Sequence, residues 1–341
     1  MMKQVLKKVV EGEHLSQCEA QKVMEEMMNG HVPQTQIAGF LTALRMKGET
    51  VEELIGFVRG IYSRATSVKH PFQEAVDTCG TGGDGQNTFN ISTAASIVSS
   101  AAGVHVIKHG NRAVSSKSGS ADVLEALQMN IRLKPDEALK MLEKTGLCFL
   151  FAPLFHQAMQ SVMSIRRELG FRTCFNLVGP LLNPARVKVQ LLGVYDASLT
   201  EKVAYVLNHL GVKRALVVAG WDGLDEITVT SATRISELQD GKVKTFDVTP
   251  ESLGVSRWPL AEIQGGSAEE NARIIKQIFA GKSGAPADIV SINAGAVLYL
   301  AGKASSLKEG TEYAKRIIQS GRAQKQLNKV IHASKEVSYV S

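Results

Sequence analysis

Apolar side chains in the first 66 or so residues recur every three or four positions, the spacing that places them on one face of an α-helix. Ser16 and Thr50 are each followed by a glutamate three positions later. This pattern is typical of a helix start, because the hydroxyl and the carboxylate can pair with each other's backbone N–H groups. Gly30 and Gly48 stand where such helices would end. The N-terminal segment is therefore predicted to be all-helical.

From about residue 74, short runs rich in β-branched residues alternate with segments of helical spacing. This alternation predicts parallel strands joined by right-handed helical crossovers. The predicted strands are 104–107, 187–194, 215–218 and 289–292. The predicted helices are 120–128, 135–145, 198–210, 268–280 and 307–320.

Two further segments complete the predicted architecture. Polar–apolar alternation within 227–248, centred on Asp240-Gly241, predicts an antiparallel hairpin added to the sheet. Segment 153–182 is rich in Met, Phe and Leu, and we expect it to return and pack on the N-terminal helices. The fold class is therefore α/β, with a small helical domain and a larger domain whose mostly parallel sheet is flanked by helices. The predicted boundaries are 1–70, joined by about 153–185, for the helical domain, and 71–152 with 186–341 for the α/β domain.

Composition narrows the class of protein. The chain has 341 residues, 44% of them apolar, which is enough for a substantial core in two domains or one large one. Its 39 basic and 33 acidic residues give a net charge of +6, which either an anionic small substrate or ordinary charge bias would explain. The basic residues are scattered without interleaved aromatics, so we expect no nucleic-acid partner.

The spacing of the cysteines and the hydropathy of the chain indicate the cellular compartment that we expect for the protein. The four cysteines lie far apart, without the C-x-x-C spacing of zinc or redox sites. No apolar run reaches the roughly 18 residues of a membrane helix. The start lacks the apolar centre of a secretory signal. We expect a cytoplasmic protein with reduced thiols and no membrane partner.

The most informative motif is a glycine-rich loop, Asp77–Gly85, with four glycines in six positions. Glycines let backbone N–H groups approach a ligand closely, and a helix start just downstream, with Ser92 or Thr93 as cap, would add further donors. The loop satisfies G-x-G-x-x-G, but a dinucleotide site also needs an acidic residue about 20 positions on. The next predicted strand instead runs into Lys108 and Arg112, which favours phosphate over adenosine ribose.

Three other stretches carry candidate chemistry. Segment 108–120 follows a predicted strand and combines cations, an amide, hydroxyls and glycines. It ends at Ser120, a candidate helix cap. The segment is either a loop that binds a ligand or a solvated surface loop. Asp225-Glu226 suits a hard cation such as magnesium, or is a turn with solvated acids. Arg166, Arg167 and Arg172 form either a carboxylate clamp or a charged helix end.

Together these motifs resemble the anthranilate phosphoribosyltransferase family of tryptophan biosynthesis, over nearly the whole chain. The resemblance implies a nucleoside-phosphorylase-like fold, with a helical domain hinged to an α/β domain, and a homodimer. It implies transfer of phosphoribose from phosphoribosyl pyrophosphate to the amine of anthranilate, with a pair of magnesium ions. A nucleoside phosphorylase and a nucleic-acid-binding relative of the same fold remain as alternatives.

The resemblance also implies roles for individual residues. Those expected to bind phosphoribosyl pyrophosphate are Gly80, Gly83, Asp84, Thr88, Asn90, Ile91, Ser92, Thr93, Lys108, His109, Gly110, Asn111, Arg112, Ala113, Val114, Ser115, Ser116 and Ser120. Those expected to bind anthranilate are Gly80, Asn111 and Arg166, and those expected to hold magnesium are Ser92, Asp225 and Glu226. Lys108 would stabilise the leaving group, and His109 would either assist proton removal or order its loop.

Overall fold

Four helices form the N-terminal part of the computed structural model, which describes residues 1–113 and 117–339. They are α1 (Met2–Val10), α2 (Gln17–Met28), α3 (Gln34–Lys47) and α4 (Val51–Tyr62). Both predicted capping pairs are present: the Ser16 hydroxyl accepts from Glu19 N and the Glu19 carboxylate from Ser16 N, and Thr50 and Glu53 do the same. The all-helical prediction for this segment is confirmed.

A seven-stranded sheet with the order β3-β2-β1-β4-β5-β6-β7 forms the centre of the larger part. The first five strands in sequence run parallel, and β6 and β7 form an antiparallel hairpin on one edge. The strands are β1 (Val76–Gly80), β2 (Val106–Gly110), β3 (Leu147–Phe151), β4 (Val189–Gly193), β5 (Arg214–Gly220), β6 (Thr233–Gln239) and β7 (Lys242–Val248). The mostly parallel sheet and the hairpin are as predicted.

The remaining helices lie between and after the strands. Those that follow β1, β2 and β3 are α5 (Ile91–Ala101), α6 (Ser120–Ala126), α7 (Pro135–Thr145), α8 (Ala152–Phe155), α9 (Gln160–Leu169) and α10 (Cys174–Val178). Those further along the chain are α11 (Thr200–His209), α12 (Ala268–Phe279), α13 (Ala285–Leu300), α14 (Leu307–Gln319) and α15 (Arg322–Tyr339). None of the helices in the described ranges combines the length and apolar character needed to cross a membrane.

Apolar side chains form two core clusters on opposite faces of the sheet. One joins the sheet to α5, α6, α7 and the C-terminal helices. The other joins α1–α4 to α9, α10 and α11, with Leu192 and Val217 from the sheet. Val162 and Phe175 pack in this second cluster, so α9 and α10 of the returning segment lie on the N-terminal helices, whereas Phe155 packs in the first cluster.

Strand predictions were wrong at three places. Segment 289–292 belongs to α13, whose residues are nearly all buried, so its apolar run shows no helical period. The sequence pattern did not predict β1, because it carries Asp77 and Thr78, or β3, because its five residues are all buried and show no alternation.

Helix starts near the predicted loops also differ by one or two residues. Gly119 rather than Ser120 precedes α6, and the Asp122 carboxylate accepts from Gly119 N at 2.9 Å. Asn90 precedes α5, so Ser92 and Thr93 lie within the first turn instead of capping it. The backbone N–H of Ser92 is consequently available to a group outside the helix.

Candidate functional site

A cavity of about 420 Å³ opens at the carboxyl ends of β1 and β2. In open α/β sheets this edge is where ligands bind. All the predicted site residues that the structure describes line this one cavity: Gly80, Gly83, Asp84, Thr88, Asn90, Ile91, Ser92, Thr93, Lys108, His109, Gly110, Asn111, Arg112, Ala113, Ser120, Arg166, Asp225 and Glu226. Val114, Ser115 and Ser116 lie outside the described residues.

Two partly buried carboxylates lie beside the glycine-rich loop. Asp225 Oδ2 accepts from Gly82 N at 2.6 Å, and Glu226 Oε1 accepts from Ser92 N at 3.1 Å, in the first turn of α5. Burial, followed by the nearby charge of Asp84, raises the pKa of Asp225 to about 7. Burial, followed by the charge of Asp225, raises the pKa of Glu226 to about 8. A bound cation would relieve this accumulation of negative charge.

The donor set at this edge fits magnesium better than a metal held entirely by protein. Within residues 1–113 and 117–339, no three His, Cys, Asp or Glu side chains are grouped as metal ligands. Magnesium is commonly bound through one or two carboxylates, with waters and substrate phosphates completing its shell. Asp225 and Glu226 supply that number of carboxylates, and the Ser92 hydroxyl lies 3.1 Å from Lys108 Nζ in the same cavity.

Glycines at the ends of β1 and β4 allow Asp225 to reach this position. Gly80 and Gly193 are paired neighbours in the sheet. A Cβ atom on Gly80 would overlap the Asp225 carboxylate, and one on Gly193 would overlap the Asp225 carbonyl oxygen. The requirement at these two positions is for space and not for a left-handed backbone.

We expect Gly193→Ala to displace Asp225, since the overlapped atom is backbone and cannot rotate away. Overpacking of this kind typically costs about 1–3 kcal/mol of folding free energy. Thermal unfolding and the magnesium concentration for half-maximal activity would both be measured, and we expect a lower Tm and a higher magnesium requirement. Gly39→Ala, in the interior of α3 with only Leu6 nearby, is the control and should leave both unchanged or raise Tm slightly. A Gly193→Ala enzyme with wild-type Tm and magnesium response would contradict this packing.

Lys108 is a buried cation at the centre of the cavity wall. Only 2% of the residue is exposed, and Nζ donates to the Thr78 carbonyl and the Ser92 hydroxyl. Burial lowers the pKa of Lys108, while the charge of Asp77 opposes that effect. Asp77 is itself fully buried and accepts from His109 N at 3.2 Å, and burial raises its pKa to about 6. A lysine held beside α5 and the glycine loop is well placed for an anionic group.

His109 is buried beside His156, with their ring centroids 5.3 Å apart. Burial lowers the pKa of His109 well below its ordinary value, and His156 and Lys108 lower it further. The ring is therefore neutral near pH 7. No sequence motif indicated His156, which lines the cavity and donates from Nε2 to the Leu182 carbonyl at 2.7 Å.

Arg166 faces the cavity from α9. Its guanidinium lies 5.2 Å from the centre of the Phe175 ring and 3.6 Å from Met163 Sδ, and it pairs with no carboxylate in the described part of the chain. Of the three arginines considered for a carboxylate clamp, Arg166 lines the cavity, whereas Arg167 and Arg172 do not. The Arg172 guanidinium instead lies over the Tyr195 ring, 4.3 Å from its centre. The apolar side chains shown beside Arg166 are those of Phe175 and Met163, and both also line the cavity.

Amide side chains that no motif indicated hold the loops together. Gln86 Nε2 donates to the Asp222 carbonyl at 2.7 Å, which ties the glycine loop to the segment before Asp225. Asn271 Nδ2 donates to Asn90 Oδ1 at 2.9 Å, at the start of α5. A single asparagine or glutamine carries no signal in one sequence, so only the folded chain shows these contacts.

Family models match both parts of the chain. The model for the helical bundle domain of the glycosyl transferase family matches residues 3–65, and the model for the a/b domain of that family matches residues 72–324. The second match alone covers more than half of the chain.

Individual relatives agree with these matches. The anthranilate phosphoribosyltransferase of Brevibacillus brevis is 52% identical over 332 residues, 97% of each chain, and that of Petrotoga mobilis is 49% identical over 331 residues, 97% of this chain and 96% of the relative. The crystal structure of the Thermus thermophilus enzyme superposes with a TM-score of 0.91 at 41% identity, over 97% of this chain and 99% of that one. The Saccharomyces cerevisiae enzyme in complex with PRPP (phosphoribosyl pyrophosphate) and Mg superposes with a TM-score of 0.89 at 29% identity, over 98% of each chain. On the fold, the cavity and these similarities together, the chain belongs to the anthranilate phosphoribosyltransferase family.

Proposed function

We propose that this cavity binds phosphoribosyl pyrophosphate with magnesium beside anthranilate. The enzyme transfers the phosphoribosyl group to the anthranilate amine and releases N-(5-phosphoribosyl)anthranilate and pyrophosphate. The observation that carries the proposal is the convergence of three separate segments, 80–93, 108–113 and 225–226, on one cavity that also contains Arg166.

The residues near α5 would bind the sugar diphosphate. Breaking the bond between the ribose carbon and pyrophosphate develops negative charge on the leaving group, so the enzyme mainly needs to neutralise that charge and align the two reactants. Lys108, the backbone N–H groups of the glycine loop and the first turn of α5 supply positive charge and donors at this place. A pair of magnesium ions, one held through Ser92 and one by Asp225 and Glu226, would supply further neutralisation of the pyrophosphate.

The opposite part of the cavity would bind the acceptor. The guanidinium of Arg166 can pair with the anthranilate carboxylate through two parallel hydrogen bonds, while Phe175 and Met163 border the aromatic ring. Gly80 and Asn111 would complete the contacts. An aromatic amine is neutral at pH 7, so a strong general base is not required. We assign His109 to ordering its loop, because its backbone N–H donates to the buried Asp77.

Domain movement and assembly are part of the proposal. We propose that 1–70, joined by about 153–185, closes against 71–152 and 186–341 and excludes the water that would hydrolyse the activated sugar. Arg166 and Phe175 belong to segment 153–185, whereas loops 80–93 and 108–113 belong to segment 71–152. The cavity is therefore lined by residues of both proposed domains, which supports this division. We also propose a cytoplasmic homodimer. All four cysteines are free thiols, as in a reducing compartment, and light scattering would test for twice the chain mass.

The direct test of function is the fluorescence of anthranilate mixed with the purified protein. We expect the fluorescence to fall only when phosphoribosyl pyrophosphate and magnesium are both present, because the amine is then alkylated. Omission of either component, and addition of excess chelator, are the controls. Unchanged fluorescence in the complete mixture would contradict the proposal, and phosphate-dependent cleavage of thymidine would favour a nucleoside phosphorylase instead.

A further inference from the structure

Asn293 is a fully buried polar residue in the middle of α13, a helix whose other inward residues are nearly all apolar. Its side chain pairs with both backbone groups of Ile227: Ile227 N donates to Oδ1 at 3.0 Å, and Nδ2 donates to Ile227 O at 2.8 Å. Nδ2 also donates to the Ile289 carbonyl at 2.9 Å. Ile227 directly follows Glu226 in the chain.

The segment that carries Glu226 needs such support. Residues 224–230 are neither helix nor strand, yet Leu224, Ile227 and Val229 are buried. Backbone groups buried outside regular structure must find partners, or folding loses free energy. The Asn293 amide supplies both partners at Ile227, in the manner of a neighbouring strand.

The same helix also packs on the other element that contacts Glu226. Helix α13 lies against α5, and Ser92 N in the first turn of α5 donates to Glu226 Oε1. The carboxylate is therefore fixed from two directions by elements that touch each other. The Glu226 carboxylate is held by the first turn of α5, and the backbone of the next residue, Ile227, is held by α13.

We propose that Asn293 is a positioning residue that aims Glu226 into the cavity for magnesium-bound pyrophosphate. This inference rests on the proposed function of the site. Asn293 does not line the cavity and touches no substrate; it acts through the backbone of Ile227. Residues that orient metal-binding side chains typically change metal affinity or activity by about 10- to 100-fold when removed.

The test compares Asn293→Ala and Asn293→Leu with Ser291→Ala. Ser291 is a matched control, because it is equally buried on α13 but its hydroxyl donates only to Ala287 O in its own helix. Calorimetry would give the Kd of phosphoribosyl pyrophosphate over a series of magnesium concentrations, and thermal unfolding without ligand would report folding. Steady-state kinetics would give the KM of anthranilate.

We expect the Asn293 variants to bind phosphoribosyl pyrophosphate about 10- to 100-fold more weakly in magnesium, with little change in the KM of anthranilate. Ser291→Ala should bind as the wild type does. The leucine variant keeps the branching and the number of heavy atoms of the asparagine side chain, and it carries the test if the alanine variant does not fold. Folded Asn293 variants with wild-type magnesium-dependent binding would overturn the inference. A wild-type protein that shows no such binding would instead overturn the proposed function.

Discussion

The double variant Asp225→Asn with Glu226→Gln is expected to lose at least about 100- to 1000-fold in turnover, the scale on which single stabilising groups act on a developing charge. The amides keep the size of the side chains and can still accept from Gly82 N and Ser92 N, so the fold should be retained. The loss of turnover then measures the effect of removing the negative charge that would hold magnesium.

A magnesium titration of turnover measures this effect. We expect the variant to need far more magnesium or to show no activity at any concentration. Glu25→Gln with Glu26→Gln is the matched control, since it removes two adjacent carboxylates from α2, away from the cavity. Wild-type activity across the titration would remove Asp225 and Glu226 from the metal site.

Arg166→Ala is expected to reduce kcat/KM for anthranilate by about 30-fold or more, because truncating one partner of a desolvated charge pair costs about 2 kcal/mol or more. The KM of phosphoribosyl pyrophosphate should change little, since Arg166 lies on α9 among apolar side chains and not among the phosphate loops. The informative result is the difference between the large effect on kcat/KM for anthranilate and the small effect on the KM of phosphoribosyl pyrophosphate.

Two further variants sharpen the result for Arg166. Arg166→Lys keeps the charge but loses the planar fork, so it should recover only part of the activity. Arg167→Ala removes a neighbouring arginine that does not line the cavity and should behave as the wild type does. Equal losses for both substrates in Arg166→Ala would contradict its assignment to the acceptor.

The sequence predicted the elements with clear periodicity and the residues that occur in dense motifs. The N-terminal helices, the β6–β7 hairpin and the glycine loop were all predictable, because each pattern has a local physical cause. The strand predicted at 289–292 was wrong because a helix buried on all sides loses its period. Strand β3 was missed for the related reason that a fully buried strand does not alternate.

The contacts that give the candidate site its geometry could not be predicted from one sequence. His156, Asn271 and Asn293 are each single polar residues far along the chain from the loops they contact. The sequence also suggested three arginines for the acceptor, and only folding shows that Arg172 turns to Tyr195 instead. Local patterns thus indicated which residues carry chemistry, whereas tertiary packing decides how they are held.

The most direct measurement is a crystal structure of this protein with phosphoribosyl pyrophosphate and magnesium. We expect pyrophosphate between the glycine loop, Lys108 and the first turn of α5, with metal about 2.1 Å from oxygens of Asp225 or Glu226. We also expect the Arg166 side of the cavity to stay open for anthranilate. Pyrophosphate bound away from these segments, or metal with no contact to either carboxylate, would contradict the proposed binding site.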